Sequence, residues 1–236
     1  MGFSIIRCPV FGILDFPLSS FWVSRIIDVL QTGLSKIPVS IFRGVFYIED
    51  GARFSKYADP LFWLADAMIV NNCYNTTDPS IGLKMNQDRT LLKCYMGDTG
   101  LLISHAFDEN GSVPQEIYRK LLMDKLEVDM GMIMENIVAQ MLVSQGHKLY
   151  FYSNSDRENK ENRMEIDFLI AKNAITNRHN ISPIEVKSSK NYTLKSIQKF
   201  MAKYSEQLHI PYVLHPGDLM EKDGITYLPL YMTAFL

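Results

Sequence analysis

Two short runs carry the side chains best suited to chemistry. In Met164-Glu165-Ile166-Asp167-Phe168-Leu169-Ile170, two carboxylates stand two residues apart. In Pro183-Ile184-Glu185-Val186-Lys187-Ser188-Ser189, a glutamate is followed at the same spacing by a lysine. Both runs are rich in β-branched and aromatic residues and are bounded by polar segments, the pattern of strands. Strand side chains alternate between faces, so Glu165 and Asp167 are expected on one face, with Ile166 and Phe168 on the other. Glu185 and Lys187 then point one way, while Ile184 and Val186 enter a core. Two carboxylates and a lysine on adjacent strands suit a hard divalent cation and a phosphate. Either pair alone is more often a solvated sheet face with a surface salt bridge.

A third carboxylate adds weight. Glu135 lies in residues 131–146, a helical pattern that Gly146 stops from the C-cap side. It shares a stripe with Val138, Ala139 and Leu142, at i+3, i+4 and i+7. A carboxylate on an apolar stripe is costly without a partner, and a metal ion or Lys187 would serve.

In that order, helix-Glu, strand-Asp and strand-Glu-x-Lys resemble the PD-(D/E)XK nuclease core of restriction endonucleases and Holliday-junction resolvases. More closely, Tyr95-Met96-Gly97-Asp98-Thr99-Gly100-Leu101-Leu102, Gly131 to Val138, Glu165-Ile166-Asp167 and Ile184-Glu185-Val186-Lys187-Ser188 resemble one family. It is the domain of unknown function found C-terminal to the ATPase core of many prokaryotic AAA+-type proteins. The resemblance runs over residues 38–236. The chain departs from the superfamily name in having Ile166 where proline is implied.

The resemblance implies an α/β fold: a restriction-endonuclease-like mixed sheet flanked by helices, preceded by a small winged-helix-like α+β region. It implies that Glu135, Asp167 and Glu185 are metal-binding acids for Mg²⁺ or Mn²⁺, and that Asp167, Glu185 and Lys187 carry catalysis. The Val186 carbonyl and waters would complete the metal's oxygen shell, and DNA phosphodiester hydrolysis would follow. The alternative is a catalytically inactive nuclease fold serving as a DNA- or protein-binding module, or a relic whose acids pair with Lys187. The partner ATPase would be separate or lost. No G-x-x-x-x-G-K-[ST] occurs in the chain, so ATP hydrolysis is not carried over.

The elements around these residues divide the chain into three parts. Residues 1–36 form an N-terminal helical segment of unassigned role, residues 37–96 the winged-helix-like domain, and residues 97–236 the nuclease-like domain. In the second part Asp59-Pro60 starts a helix and two strands follow, with Arg53, Lys56, Lys84 and Arg89 as candidate DNA contacts. Tyr57, Phe62 and Trp63 look like core, however, and favour an interdomain packing role over DNA contact. In the third part, Asp98 or Thr99 caps a helix. The polar connector 154–163 carries Arg157, Lys160 and Arg163, a basic tip able to meet a phosphate backbone or simply to be solvated. The helix Thr193–Gln207 sets Lys195, Lys199 and Lys203 at steps of four on one face, with Lys187 and Lys190 nearby. This is the most basic patch in the chain.

Composition constrains the rest. At 236 residues, with 47% hydrophobic and 21% charged, the chain can bury a sizeable core and is globular rather than disordered. A net charge of −2 is not that of a protein that coats nucleic acid, so any such contact is local. Cys8, Cys73 and Cys94 lack metal-ligand spacing and read as buried thiols of a reducing compartment. No apolar run reaches membrane-span length, and the opening residues lack a cleavage site, so a cytoplasmic location without membrane contact is expected. Self-association is compatible with the sequence.

Overall fold

The computed structural model describes residues 62–80, 82–107, 115–122, 130–154, 159, 162–171 and 180–236. Its centre is one mixed sheet of eight strands in the order β2-β1-β3-β4-β5-β6-β8-β7. The strands are β1 (Val70–Thr76), β2 (Gln87–Met96), β3 (Leu149–Asn154) and β4 (Met164–Ala171). They continue as β5 (Ile181–Val186), β6 (Tyr212–His215), β7 (Met220–Lys222) and β8 (Ile225–Pro229). The helices are α1 (Thr99–Phe107), α2 (Gln115–Leu122), α3 (Met130–Ser144) and α4 (Lys195–Tyr204), and a 3-10 turn, Leu230–Phe235, closes the chain. β1 runs parallel to β3, and β5, β6 and β8 run parallel to one another, while the remaining pairs are antiparallel.

Helices cover both faces of the sheet. On one face α3 packs Val138, Ala139 and Leu142 against Leu149, Phe151, Phe168, Ile184, Val186 and Leu214. On the other, α4 packs Ile197 and Phe200 against Tyr152, Ile166, Leu169, Ile181 and Val213. β5 is covered on both sides and all six of its residues are buried, which is why its apolar residues do not alternate with polar ones. β7 lies at an edge, and its three residues are all exposed.

The sequence places β1 and β2 in a winged-helix-like region ending at residue 96. In the structure both strands extend the sheet that holds the candidate site, through the β1–β3 pairing of Cys73 with Leu149. The reason is visible in α3, whose Asn136 clamps the end of β2. Its Oδ1 accepts from the Met96 N–H at 2.8 Å and its Nδ2 donates to the Met96 carbonyl at 3.2 Å. Asn136 Nδ2 and Gln140 Nε2 also donate to the Thr99 hydroxyl, at 3.2 and 2.6 Å. The expected cap of α1 resolves to Asp98, which accepts from the Leu101 N–H at 2.8 Å. At the far end of α3, Gly146 takes φ +87. Its N–H donates to Val143, and that of His147 to Leu142, the two bonds of a Schellman stop.

Gly97, between these motifs, donates its N–H to Ile69 at 2.7 Å. A Cβ there would stand 2.3 Å from the Met68 carbonyl oxygen, a backbone atom that cannot swing aside. Gly97→Ala is therefore expected to lose roughly 1–3 kcal/mol, the usual cost of overpacking, read as a lower urea midpoint at unchanged slope.

Candidate functional site

The site forms where β4 is irregular. Tyr150 pairs with Leu169 and Tyr152 with Ile166, so one residue of β3, Phe151, faces two of β4, Asp167 and Phe168. This β-bulge re-aims the strand. Strict alternation puts Phe168 opposite Asp167, but the extra residue turns both to the α3 face, where Phe168 joins the core beneath α3. The β4–β5 ladder reaches only Phe168 with Ile184. Beyond it the Asp167 carboxylate takes the place of a backbone acceptor and receives the Val186 N–H at 2.8 Å.

Three strands and a helix now converge on the α3 face. Glu135 sits on the stripe of Val138, Ala139 and Leu142, all fully buried. The Tyr95 hydroxyl donates to Glu135 Oε2 at 3.2 Å, and the Tyr95 ring lies 5.3 Å from that of Phe168. Glu165 forms an ion pair with Lys93, a buried lysine of β2. Lys93 pairs across the ladder with the fully buried Cys73, and its ammonium stands 4.9 Å above the Phe151 ring.

Lys93 is the functional residue that sequence reading missed. Its signal is the alternation Lys93-x-Tyr95 inside the apolar second half of β2, Leu91 to Met96, which places both side chains on one face.

Glu185 and Lys187 are placed differently. Ile184 and Val186 belong to the core under α3, so alternation turns Glu185 to the α4 side. The backbone N–H of Ile197, in the first turn of α4, offers it a hydrogen bond. Leu194 at the N-cap has no side-chain cap of its own, so Glu185 does that work from the neighbouring strand. Lys187 Nζ is 3.1 Å from Glu185 Oε2, an ion pair by distance. Among the described residues this buried oxygen has no other donor. Of the three predicted metal acids, Glu135 and Asp167 lie under α3 and Glu185 turns toward α4, while the Asp167 charge still reaches Glu185 and that of Lys187 reaches both. Among the described residues, no three of His, Cys, Asp and Glu converge in a metal-holding group.

The electrostatics follow from burial. Glu135 is pushed up to about 8, first by desolvation and then by the Asp167 charge, against Lys93 and the Tyr95 hydroxyl. Glu185 is pushed up to about 7 by burial, with Lys187 and the Ile197 N–H opposing. Asp167 is raised by burial despite Lys93, the Val186 N–H and Lys187. For Lys93, burial alone lowers the value, but Asp167, Glu135 and Glu165 outweigh it and hold the ammonium above its ordinary range.

These shifts fix a sign for stability. An unfolded glutamate titrates near 4.3, so between about pH 4.5 and 8 the folded chain holds protons that the unfolded chain has lost. Stability from these carboxyls is present below that window and is lost as pH rises through it. Urea midpoints are expected to fall between about pH 5 and 8.5, and Glu135→Gln is expected to flatten much of the fall.

The predicted phosphate contacts are spread along the α4 side. Lys190, Lys195 and Lys203 are exposed. Lys199 Nζ donates to the Arg163 carbonyl at 3.4 Å and Lys203 Nζ to the Tyr152 hydroxyl at 3.5 Å. Arg157 and Lys160 lie outside the described residues, as do Arg53, Lys56 and the side chain of Arg89.

Residues 130–232 match the family model described as Domain of unknown function (DUF4143). No curated protein and no solved structure matches the chain. The DUF4143 match runs from α3 into the 3-10 turn and contains Glu135, Asp167, Glu185 and Lys187. It is shorter than the resemblance over residues 38–236. Lys93 and Tyr95, which complete the centre from β2, precede it. Among the described residues, no helix is long and apolar enough to cross a membrane.

Proposed function

We propose that the chain is a PD-(D/E)XK nuclease-like fold whose acidic centre is neutralised from within, serving as a binding module beside an AAA+-type ATPase rather than hydrolysing DNA. The observation that carries this reading is the buried Lys93, paired with Glu165 and acting on both Asp167 and Glu135. A lysine inside a carboxylate cluster supplies the positive charge that a cation would otherwise bring. The donor set does not fit a divalent ion as arranged. Asp167 is engaged by Val186, Glu135 by Tyr95, and Glu185 by α4 and Lys187. A hard cation needs several oxygens converging at one point. The DUF4143 match supports the ATPase partnership, through the resemblance that led to it.

A second reading is a Mg²⁺- or Mn²⁺-dependent nuclease, and one observation favours it. Glu135, Glu165 and Asp167 gather around the Lys93 ammonium, and burial, with the repulsion between the carboxylates, raises Glu135 and Asp167. The two readings separate on metal affinity. Calorimetric titration of the wild type with Mn²⁺ is expected to show no saturable site. Saturable binding that Asp167→Asn abolishes would favour the nuclease.

A further inference from the structure

The parallel strands β5, β6 and β8 end at one edge of the sheet, and the crossover that holds α4 leaves from it. In α/β sheets this carboxyl edge is where ligands are met. Two of its side chains play no part in the acidic centre. His215, the last residue of β6, is buried and shares the α4 face with Val213. Tyr192, in the loop between β5 and α4, is half-buried, and its hydroxyl lies 3.1 Å from His215 Nδ1. On the far side of the ring, His215 Nε2 is 3.1 Å from the Asp218 carbonyl oxygen. The imidazole is held in place. The Tyr227 ring meets it edge-on at 5.6 Å, and a Cβ at Gly217 would stand 2.6 Å from its Cε1.

The proton positions follow from the partners. A backbone carbonyl only accepts, so Nε2 carries the imidazole proton and donates to Asp218. Nδ1 is then the free base, and the Tyr192 hydroxyl donates to it. A hydroxyl, a base and a third group that orients the base are the parts of an activated nucleophile. Burial raises the Tyr192 phenol, so it stays protonated at neutral pH and gains nucleophilicity only as Nδ1 takes its proton. Lys187 follows Val186, which pairs with Leu214, and so falls beside His215 on the same face. Its ammonium is already paired with Glu185, which leaves this edge little net charge to draw an anion. The remaining ammonium N–H groups can still meet an oxyanion that develops during reaction. An uncharged electrophile suits such a place.

We infer that Tyr192 and His215 form a nucleophile and base for acyl transfer from uncharged carboxylic esters. The Tyr192 oxygen bonds to the ester carbonyl carbon as its proton passes to His215 Nδ1. Collapse breaks the bond to the leaving oxygen, which takes that proton from Nδ1, and an acyl ester of Tyr192 remains. Water attacking the acyl carbon, with its proton passing through Nδ1 to the phenol oxygen, releases the carboxylic acid and restores the pair.

Two measurements in chelator test this. Phenylmethanesulfonyl fluoride is an uncharged electrophile whose adduct with a phenol is stable and can be placed by peptide mass spectrometry. Tyr192 is expected to react about a hundredfold faster than Tyr231, the gain from a positioned base, although Tyr231 is 72% exposed and far more accessible. His215→Gln is expected to remove that advantage and leave the Tyr231 rate unchanged. Gly217→Ala, which crowds the ring without removing it, is expected to slow Tyr192 as well. Thermal midpoints show which variants are folded. Release of 4-nitrophenolate from 4-nitrophenyl acetate is expected in the wild type and at background in Tyr192→Phe. Three results would each overturn the inference: Tyr231 reacting as fast as Tyr192, an unchanged Tyr192 rate in a folded His215→Gln or Gly217→Ala, and equal release by wild type and Tyr192→Phe.

Discussion

Lys93→Met is expected to destabilise the protein by roughly 3–5 kcal/mol, the range for removing one partner of a buried ion pair. The change takes the Lys93 ammonium away from Glu165 and strips Asp167 and Glu135 of the positive charge that lowers their pKa values. Because Glu165 is 34% exposed, its own share is partly met by water. That places the loss toward the lower end. The double variant Lys93→Met/Glu165→Gln is expected to recover part of the loss, since it removes the stranded charge along with its partner. Urea unfolding of the single and double variants at pH 7 measures both. An unchanged midpoint in Lys93→Met would show that the cluster does not depend on this lysine.

The second large effect is expected at Phe168. Its side chain is fully buried beneath α3 and in contact with Tyr95. Phe168→Ala is expected to lose roughly 3–5 kcal/mol through lost burial and the cavity left behind. It also removes the ring that supports Tyr95 against Glu135. The titration of Glu135, followed by carboxyl NMR, is therefore expected to move in a trimmed variant such as Phe168→Leu. No movement of that titration would show that the bulge supports packing alone.

The bulge also explains what the sequence could and could not disclose. The strand and helix carrying Asp167 and Glu135 were legible, because β-branched runs and a 3.6-residue stripe are strong local signals. The face of Phe168 was not legible, because one extra residue in β4 breaks the two-residue period that the reading relies on. Glu185 followed the alternation faithfully, but only the position of α4 shows that its side chain meets Ile197. Lys93 was hidden for a different reason. Its strand looked like part of a small separate domain, and nothing in 37–96 announces that β1 will pair in parallel with β3, across a crossover that holds β2 and, among the described residues, three helices. The edge strand β7 and the closing 3-10 turn carry no strong period and were equally unannounced.

The central claim is that Lys93 neutralises the acidic centre and leaves the fold without metal-assisted hydrolysis. Cleavage of plasmid and branched DNA in Mg²⁺ and in Mn²⁺ tests it most directly, with wild type, Asp167→Ala and Lys187→Ala compared in parallel. The account predicts intact DNA in every lane, with binding to the branched substrate retained in chelator. Cutting by the wild type that disappears in both variants and in chelator would contradict it and assign the centre to a nuclease.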